Sequence, residues 1–302
     1  MKQPRRTFIR QSALLTGGAL VPGWYRGKNL FTQDQPLRFK SLKYGMIQAG
    51  DSVLEKFQIA KDAGFQGIEL DWPNDLNTDE VLEAKAKTGL QIPGVINSVH
   101  WKQPLSDPDP AVRQACVDAT IEGLKMCKKY GGTTVLVVPA VVNDQVRYDQ
   151  AWDRSIPEIK KMLPTAHETG VRIAIENVWN NFLLSPLEAA RYIDTFDDNM
   201  IGWYMDVGNL VRYAWPDQWI SILGKRILKV DIKGYSRKKQ VEEGIWKGFE
   251  VEIGDDDCNW AAVNKALTAA GYTAGWGSAE VKGGDLNRLK DINRRMDDIF
   301  AR

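Results

Sequence analysis

The sequence is poor in histidine and cysteine. Its two histidines, His100 and His167, among 302 residues exclude a metal centre built mainly from imidazole. Its three cysteines exclude a disulfide framework. Cys116 and Cys127 share one predicted helix, eleven residues or about 16 Å apart at ~1.5 Å per residue, too far to bridge. No Gly-x-Gly-x-x-Gly follows a predicted strand, so a dinucleotide fold lacks its signature. No long Lys/Arg run is present either, which argues against nucleic acid as a partner.

The net charge of +1 hides an uneven distribution. Residues 1–26 carry five basic residues and no acid, so the remaining 35 basic and 39 acidic residues give the body a charge of −4. Within that basic segment, Arg5-Arg6-Thr7-Phe8-Ile9-Arg10 resembles a twin-arginine export motif and precedes Ala13–Val21, an apolar run too short to span a bilayer. The expectation is a signal peptide over 1–26, a polar linker over 27–40, a periplasmic or exported location and no stable membrane anchor. Eleven tryptophans suit either core packing or a carbohydrate surface.

What the chain does contain is a rhythm. From Lys43 onward, short apolar runs alternate with helical patterns, which is the signal for βα units. Strands are expected at Lys43–Gln48, Gly67–Leu70, Ile92–Val95, Thr134–Val138, Arg172–Ile175, Ile201–Met205, Ile227–Ile232 and Gly275–Ala279. Helices fall between them, with Asp149–Thr169 expected to break at Pro157 or Pro164. Eight strands and eight helices give a single-domain (β/α)8 TIM barrel over 41–302. The stretch from Gly234 to Cys258 breaks the rhythm, as a lid or an added hairpin would.

Four successive strands end on an acid: Glu176, Asp206, Asp231 and Glu280. An acid emerging from a buried strand is costly to desolvate unless a cation meets it, and barrel geometry brings strand ends together. These four are therefore the expected ligands of one divalent metal ion, and an all-oxygen donor set favours Mn²⁺ or Mg²⁺ over Zn²⁺.

The blocks Ile175-Glu176-Asn177, Met205-Asp206-Val207-Gly208-Asn209, Lys229-Val230-Asp231-Ile232-Lys233 and Gly275-Trp276-x-x-x-Glu280, with Ile253–Trp260 between the last two, resemble the xylose isomerase-like barrel superfamily, the sugar phosphate isomerase/epimerase group. The resemblance implies metal ligation by Glu176, Asp206, Asp231 and Glu280, with Glu176 and Glu280 as the proton-shuttling catalytic pair. It departs at Asp231, where the family has histidine, and at Gly234, where an acid is common. The implied activity is sugar isomerisation or epimerisation by proton abstraction next to a carbonyl, through an enediolate. The alternatives are β-elimination from a 3-keto-glycoside and a catalytically inactive sugar-binding barrel. His100, Trp101, Asn177, Trp179, Asn209 and Lys233 are the expected contacts to a small carbohydrate. A homo-oligomer is compatible with all three readings.

Overall fold

The computed structural model describes residues 36–302. The expected signal segment 1–26 and residues 27–35 of the expected linker lie outside the described residues. Eight parallel strands, β1 (Leu37–Lys43), β2 (Gly67–Trp72), β3 (Gly94–Asn97), β4 (Thr134–Val137), β5 (Arg172–Glu176), β6 (Ile201–Asp206), β7 (Ile227–Ile232) and β8 (Gly275–Ala279), pair in chain order. The pairing of β8 with β1, Leu42 opposite Ala279, closes the barrel. Around it run α1 (Val53–Asp62), α2 (Thr78–Thr88), α3 (Pro110–Tyr130), α4 (Tyr148–Thr169), α5 (Pro186–Asp194), α7 (Pro216–Leu223), α9 (Trp260–Ala269) and α10 (Leu286–Phe300), with two short helices, α6 (Val207–Val211) and α8 (Arg237–Glu243), inserted at the strand-end face.

The helices start where local chemistry satisfies their free N–H groups. The Ser52 hydroxyl accepts from the Glu55 N–H while Glu55 accepts from the Ser52 N–H, a reciprocal cap on α1. Ser185 caps α5 through the Glu188 N–H, and proline occupies the first helical position. The main apolar core lies between the barrel's outer wall and these helices, and a small plug of Leu136, Ala174 and Tyr204 fills the barrel's interior. Among the described residues no helix is long and apolar enough to cross a membrane.

Three local expectations are corrected. The first strand lies at Leu37–Lys43, six residues before the expected Lys43–Gln48, and takes residues 37–40 from the expected linker. Its polar side chains conceal the strand in sequence, because Lys40 and Lys43 bury their stems against ion partners instead of presenting an apolar stripe. The third strand starts at Gly94, not Ile92, since Pro93 has no N–H to give the ladder. Helix α4 runs unbroken through Pro157 and Pro164. Both prolines lie on its exposed side, where water hydrates the carbonyls left without a donor.

Candidate active site at the strand ends

Below the strand-end acids lies a buried ionic floor. Glu69, on β2, is 1% exposed and accepts from Lys43 at 2.7 Å, Tyr204 at 2.8 Å and Ser278 at 2.6 Å, and also from Lys229. Burial works against its ionisation, but Lys229 and Lys43 outweigh it and hold the carboxyl well below the ordinary range. Burial also lowers Lys229, while Asp231, Glu69 and Glu280 overcome burial at Lys43 and raise it. Gly94 makes room for this pair: a Cβ there would come within 2.8 Å of Glu69 Oε1 and Lys229 Nζ.

Above the floor, ligand-capable atoms of Glu176, Asp206, Asp231 and Glu280 lie within 4.8 Å of one another. The strand register produces this: Glu176 pairs with Tyr204, and Asp206 with Asp231, at the carboxyl ends of β5, β6 and β7. Glu280 follows β8 directly, its N–H donating to the Ile232 carbonyl at 3.1 Å. Each buried aspartate has one oxygen engaged. Asp206 Oδ1 accepts from the Asn209 N–H at 2.8 Å, and Asp231 Oδ1 accepts from Lys43 at 2.8 Å and Tyr204 at 3.0 Å. Their Oδ2 atoms are buried with no hydrogen-bond donor.

Among the described residues, the cation reaching this cluster from above is Lys233, whose Nζ lies 3.1 Å from Asp206 Oδ2 and 3.2 Å from Glu280 Oε2. Its effect is uneven. Burial and the surrounding carboxylates raise Glu176 well above the ordinary value, whereas at Glu280 burial is outweighed by Lys233 and Lys43, and the carboxyl is lowered. Burial raises Asp231 as well, Lys43 opposing it. The two glutamates therefore differ in protonation preference, which is the arrangement an acid/base pair requires.

The donor set fits a divalent ion. Four carboxylates converge, all donors are oxygen, and the buried Oδ2 atoms of Asp206 and Asp231 have no hydrogen-bond partner, as is usual for a hard cation's ligands. If every group were ionised, Glu69, Glu176, Asp206, Asp231 and Glu280 would exceed the ammonium groups of Lys43, Lys229 and Lys233 by two charges, which a divalent ion would balance.

The cluster opens into a cavity of about 650 Å³ lined by Lys43, Glu176, Lys233 and Glu280 below and by His100, Trp101, Trp179, Trp246 and Phe249 above. That volume lies within the roughly 300–1,000 Å³ of typical small-molecule pockets. His100 is 5% exposed with Nδ1 unpartnered, and burial pushes its imidazole down to about 4, so it is neutral at physiological pH. Trp101 is 51% exposed at the mouth. Trp179 stacks on Phe249 and Trp246 at centroid distances of 4.8 and 4.7 Å, while its indole N–H donates to the Asn209 carbonyl.

Asn177 has a different task from the expected ligand contact. Its Nδ2 donates to the Asp206 carbonyl and its Oδ1 accepts from the Asp206 N–H and the Trp203 indole, so it positions Asp206, and it is not among the residues lining the cavity. Asn209 Nδ2 likewise donates to the Asn177 carbonyl, leaving Oδ1 near Lys233 at 3.4 Å. His167 lies on α4, paired with Asp198 far from the site. Gly208 permits the close packing of α6 on β7, since a Cβ there would collide with the Lys233 carbonyl. Lys43, Lys229, Tyr204, Ser278 and Phe249 were not singled out from sequence. A lysine on a strand, Lys43, and another inside an apolar run, Lys229, are the signals that point to a buried counter-charge.

A closed (β/α)8 barrel with acids at four successive strand ends defines the class. The particular family follows from sequence: the chain belongs to the xylose isomerase-like TIM barrel family, whose model matches residues 57–298. Among curated relatives, L-ribulose-5-phosphate 3-epimerase UlaE of Escherichia coli O1:K1 is 25% identical over 183 residues, 57% of this chain and 63% of that protein. The Salmonella paratyphi A enzyme of the same name is 24% identical over 239 residues, 75% and 81% of the two chains. Among solved structures, an L-ribulose 3-epimerase superposes with a TM-score of 0.73 at 19% identity, covering 88% of this chain and 95% of that one. The 3-keto-D-glucoside 4-epimerase YcjR of E. coli superposes with a TM-score of 0.72 at 17% identity, covering 88% and 100%.

Proposed function

We propose that the chain is a divalent-metal-dependent sugar epimerase or isomerase that moves a proton at the carbon next to a carbonyl. The observation that carries this reading is the glutamate pair: both side chains reach one cavity, and their surroundings push their protonation in opposite directions. A two-base inversion needs one shared proton. Glu280, the ionised member, takes the α-proton from one face of the sugar, and Glu176 returns a proton to the other. Between the two steps the substrate is an enediolate, whose charge develops beside the Lys233 ammonium. Neutral His100 is a hydrogen-bonding partner for a sugar hydroxyl. Bound by Glu176, Asp206, Asp231 and Glu280, Mn²⁺ or Mg²⁺ would supply the electrophile that polarises the carbonyl.

The curated and structural relatives named as 3-epimerases and a 4-epimerase support this class of reaction. An exported protein, the reading of the twin-arginine motif, favours a sugar without phosphate. A second reading, β-elimination from a 3-keto-glycoside, is favoured by the exposed Trp101 and Trp246 at the mouth, which suit a second ring. There the same proton leaves, its electron pair forms the C=C bond, and the C–O bond to the aglycone breaks instead of a proton returning.

Incubation with free ketohexoses and with a 3-keto-glucoside in D₂O, followed by NMR and chromatography, separates the readings. A C-epimer carrying one deuterium is expected. Released aglycone with an unsaturated sugar and no epimer would replace the first reading by the second. Absence of both exchange and products would sink both.

A further inference from the structure

The two cavity-facing lysines are held very differently. Lys43 donates to Glu69 and Asp231 at 2.7 and 2.8 Å, the usual separations for a charged pair, and is only 12% exposed. Lys233 instead lies 3.1, 3.2 and 3.4 Å from Asp206, Glu280 and Asn209, a looser position among three acceptors. Asp206 Oδ2 has the Lys233 ammonium at 3.1 Å but no hydrogen bond of good geometry, and Asp231 Oδ2 beside it has no hydrogen-bond partner. One ammonium thus occupies ground that four carboxylates share without satisfying them.

Lys233 also has somewhere to go. It is the first residue of the long β7–α9 connection, lines the cavity, and lies 5.4 Å from the centre of the Phe249 ring, within cation–π reach. Phe249 belongs to that connection and packs on Trp179 and Tyr235. A cation entering between Asp206 and Glu280 meets the ammonium first, and rotation toward Phe249 and Asn209 relieves the repulsion.

We infer that Lys233 is a displaceable resident cation, holding the position between Asp206 and Glu280 until a divalent ion takes it and then moving to the Phe249 side of the cavity. The site then exchanges one cation for another, and ion loading is reported to the β7–α9 connection through Phe249. This rests on the acid cluster being a metal site, and the test separates the two ideas.

The measurement is Mn²⁺ binding to metal-stripped protein, by calorimetry and by the loss of the free Mn²⁺ EPR signal, for wild type, Lys233→Met and Lys43→Met. Circular dichroism confirms folding, with Lys233→Gln as the substitute should Lys233→Met fail to fold. Removing the competitor should tighten Mn²⁺ at least about tenfold, whereas Lys43→Met removes the same charge from a clamped position and should give a smaller gain or a loss. Mn²⁺ should also change tryptophan fluorescence in wild type, and that change should shrink in Lys233→Met. Equal tightening in both variants would overturn displacement in favour of a general charge effect, and unchanged or weaker binding in Lys233→Met would overturn it outright. If neither wild type nor Lys233→Met binds Mn²⁺ at millimolar concentration, the metal reading falls and this inference falls with it.

Discussion

The floor and the mouth of the barrel are built from the same residue types, yet they differ in satisfaction. In the floor, Glu69 receives four donors and every charge has a close partner. In the mouth, one ammonium is shared by Asp206 and Glu280 at 3.1 and 3.2 Å, the Oδ2 atoms of Asp206 and Asp231 make no hydrogen bond, and burial with the neighbouring carboxylates raises Glu176 well above its ordinary value. Burial and acidity alone therefore do not mark function in this fold. The mark is an unmet requirement for positive charge, placed where a cavity gives a ligand access.

The sharpest way to break this comparison is to make one substitution in both regions. Glu176→Gln should lower turnover by up to about 10⁴-fold, the range for a lost acid/base group, while the metal-free protein keeps its stability because a neutral amide enters a site where burial and neighbouring carboxylates already disfavour the charged form. Initial rates and urea denaturation check the two halves. Glu69→Gln should do the reverse to the fold and cost about 3–5 kcal/mol, since it leaves Lys229 buried without its carboxylate and Lys43 with Asp231 alone. A Glu69→Gln protein as stable as wild type would erase the distinction between the regions.

The same distinction can be sharpened by pH. His100 is buried and neutral in the mouth, its imidazole lowered to about 4 from the usual 6.5, chiefly by burial. A depressed histidine contributes stability above its unfolded value, and that contribution is lost as pH falls from about 6.5 toward 4. The wild type should thus lose about 3 kcal/mol more than His100→Gln across that window, read from urea midpoints at successive pH values with EDTA present. Parallel pH curves for the two proteins would mean that His100 is not buried as neutral. Gly94→Ala is the smallest expected effect: the added methyl crowds Glu69 and Lys229 and should cost about 1–3 kcal/mol, whereas cavity ligand binding should be unchanged. Thermal denaturation and ligand titration test it.

Much of the mouth was legible in sequence because its acids interrupt apolar strands, and Glu176 after Arg-Ile-Ala-Ile has no other reason to stand there. The floor was less legible. Glu69 lies inside β2, but its partners come from β1, β6, β7 and β8, and only the barrel's closure brings them together. Lys43 was misplaced for the same reason. A strand whose lysines find buried partners loses the apolar alternation by which strands are recognised, so β1 was read six residues late. Asn177 lay next to an expected ligand and shared its polarity, and sequence alone offers no way to tell a residue that faces the cavity from one spent on holding Asp206.

Strand β7 and the residue after it place Lys229, Asp231 and Lys233 at alternate positions, the first two in the barrel interior and the third at its mouth. The five residues Lys229–Lys233 therefore carry a vertical column of plus, minus and plus charges, with Val230 and Ile232 turned to the outer core. Insertion of one residue early in this strand would exchange the two sets, putting hydrocarbon on the axis and charge among the helices. For anyone re-engineering the barrel, β7 is a single cassette: its alternation has to be moved whole, and no partial graft conserves the column.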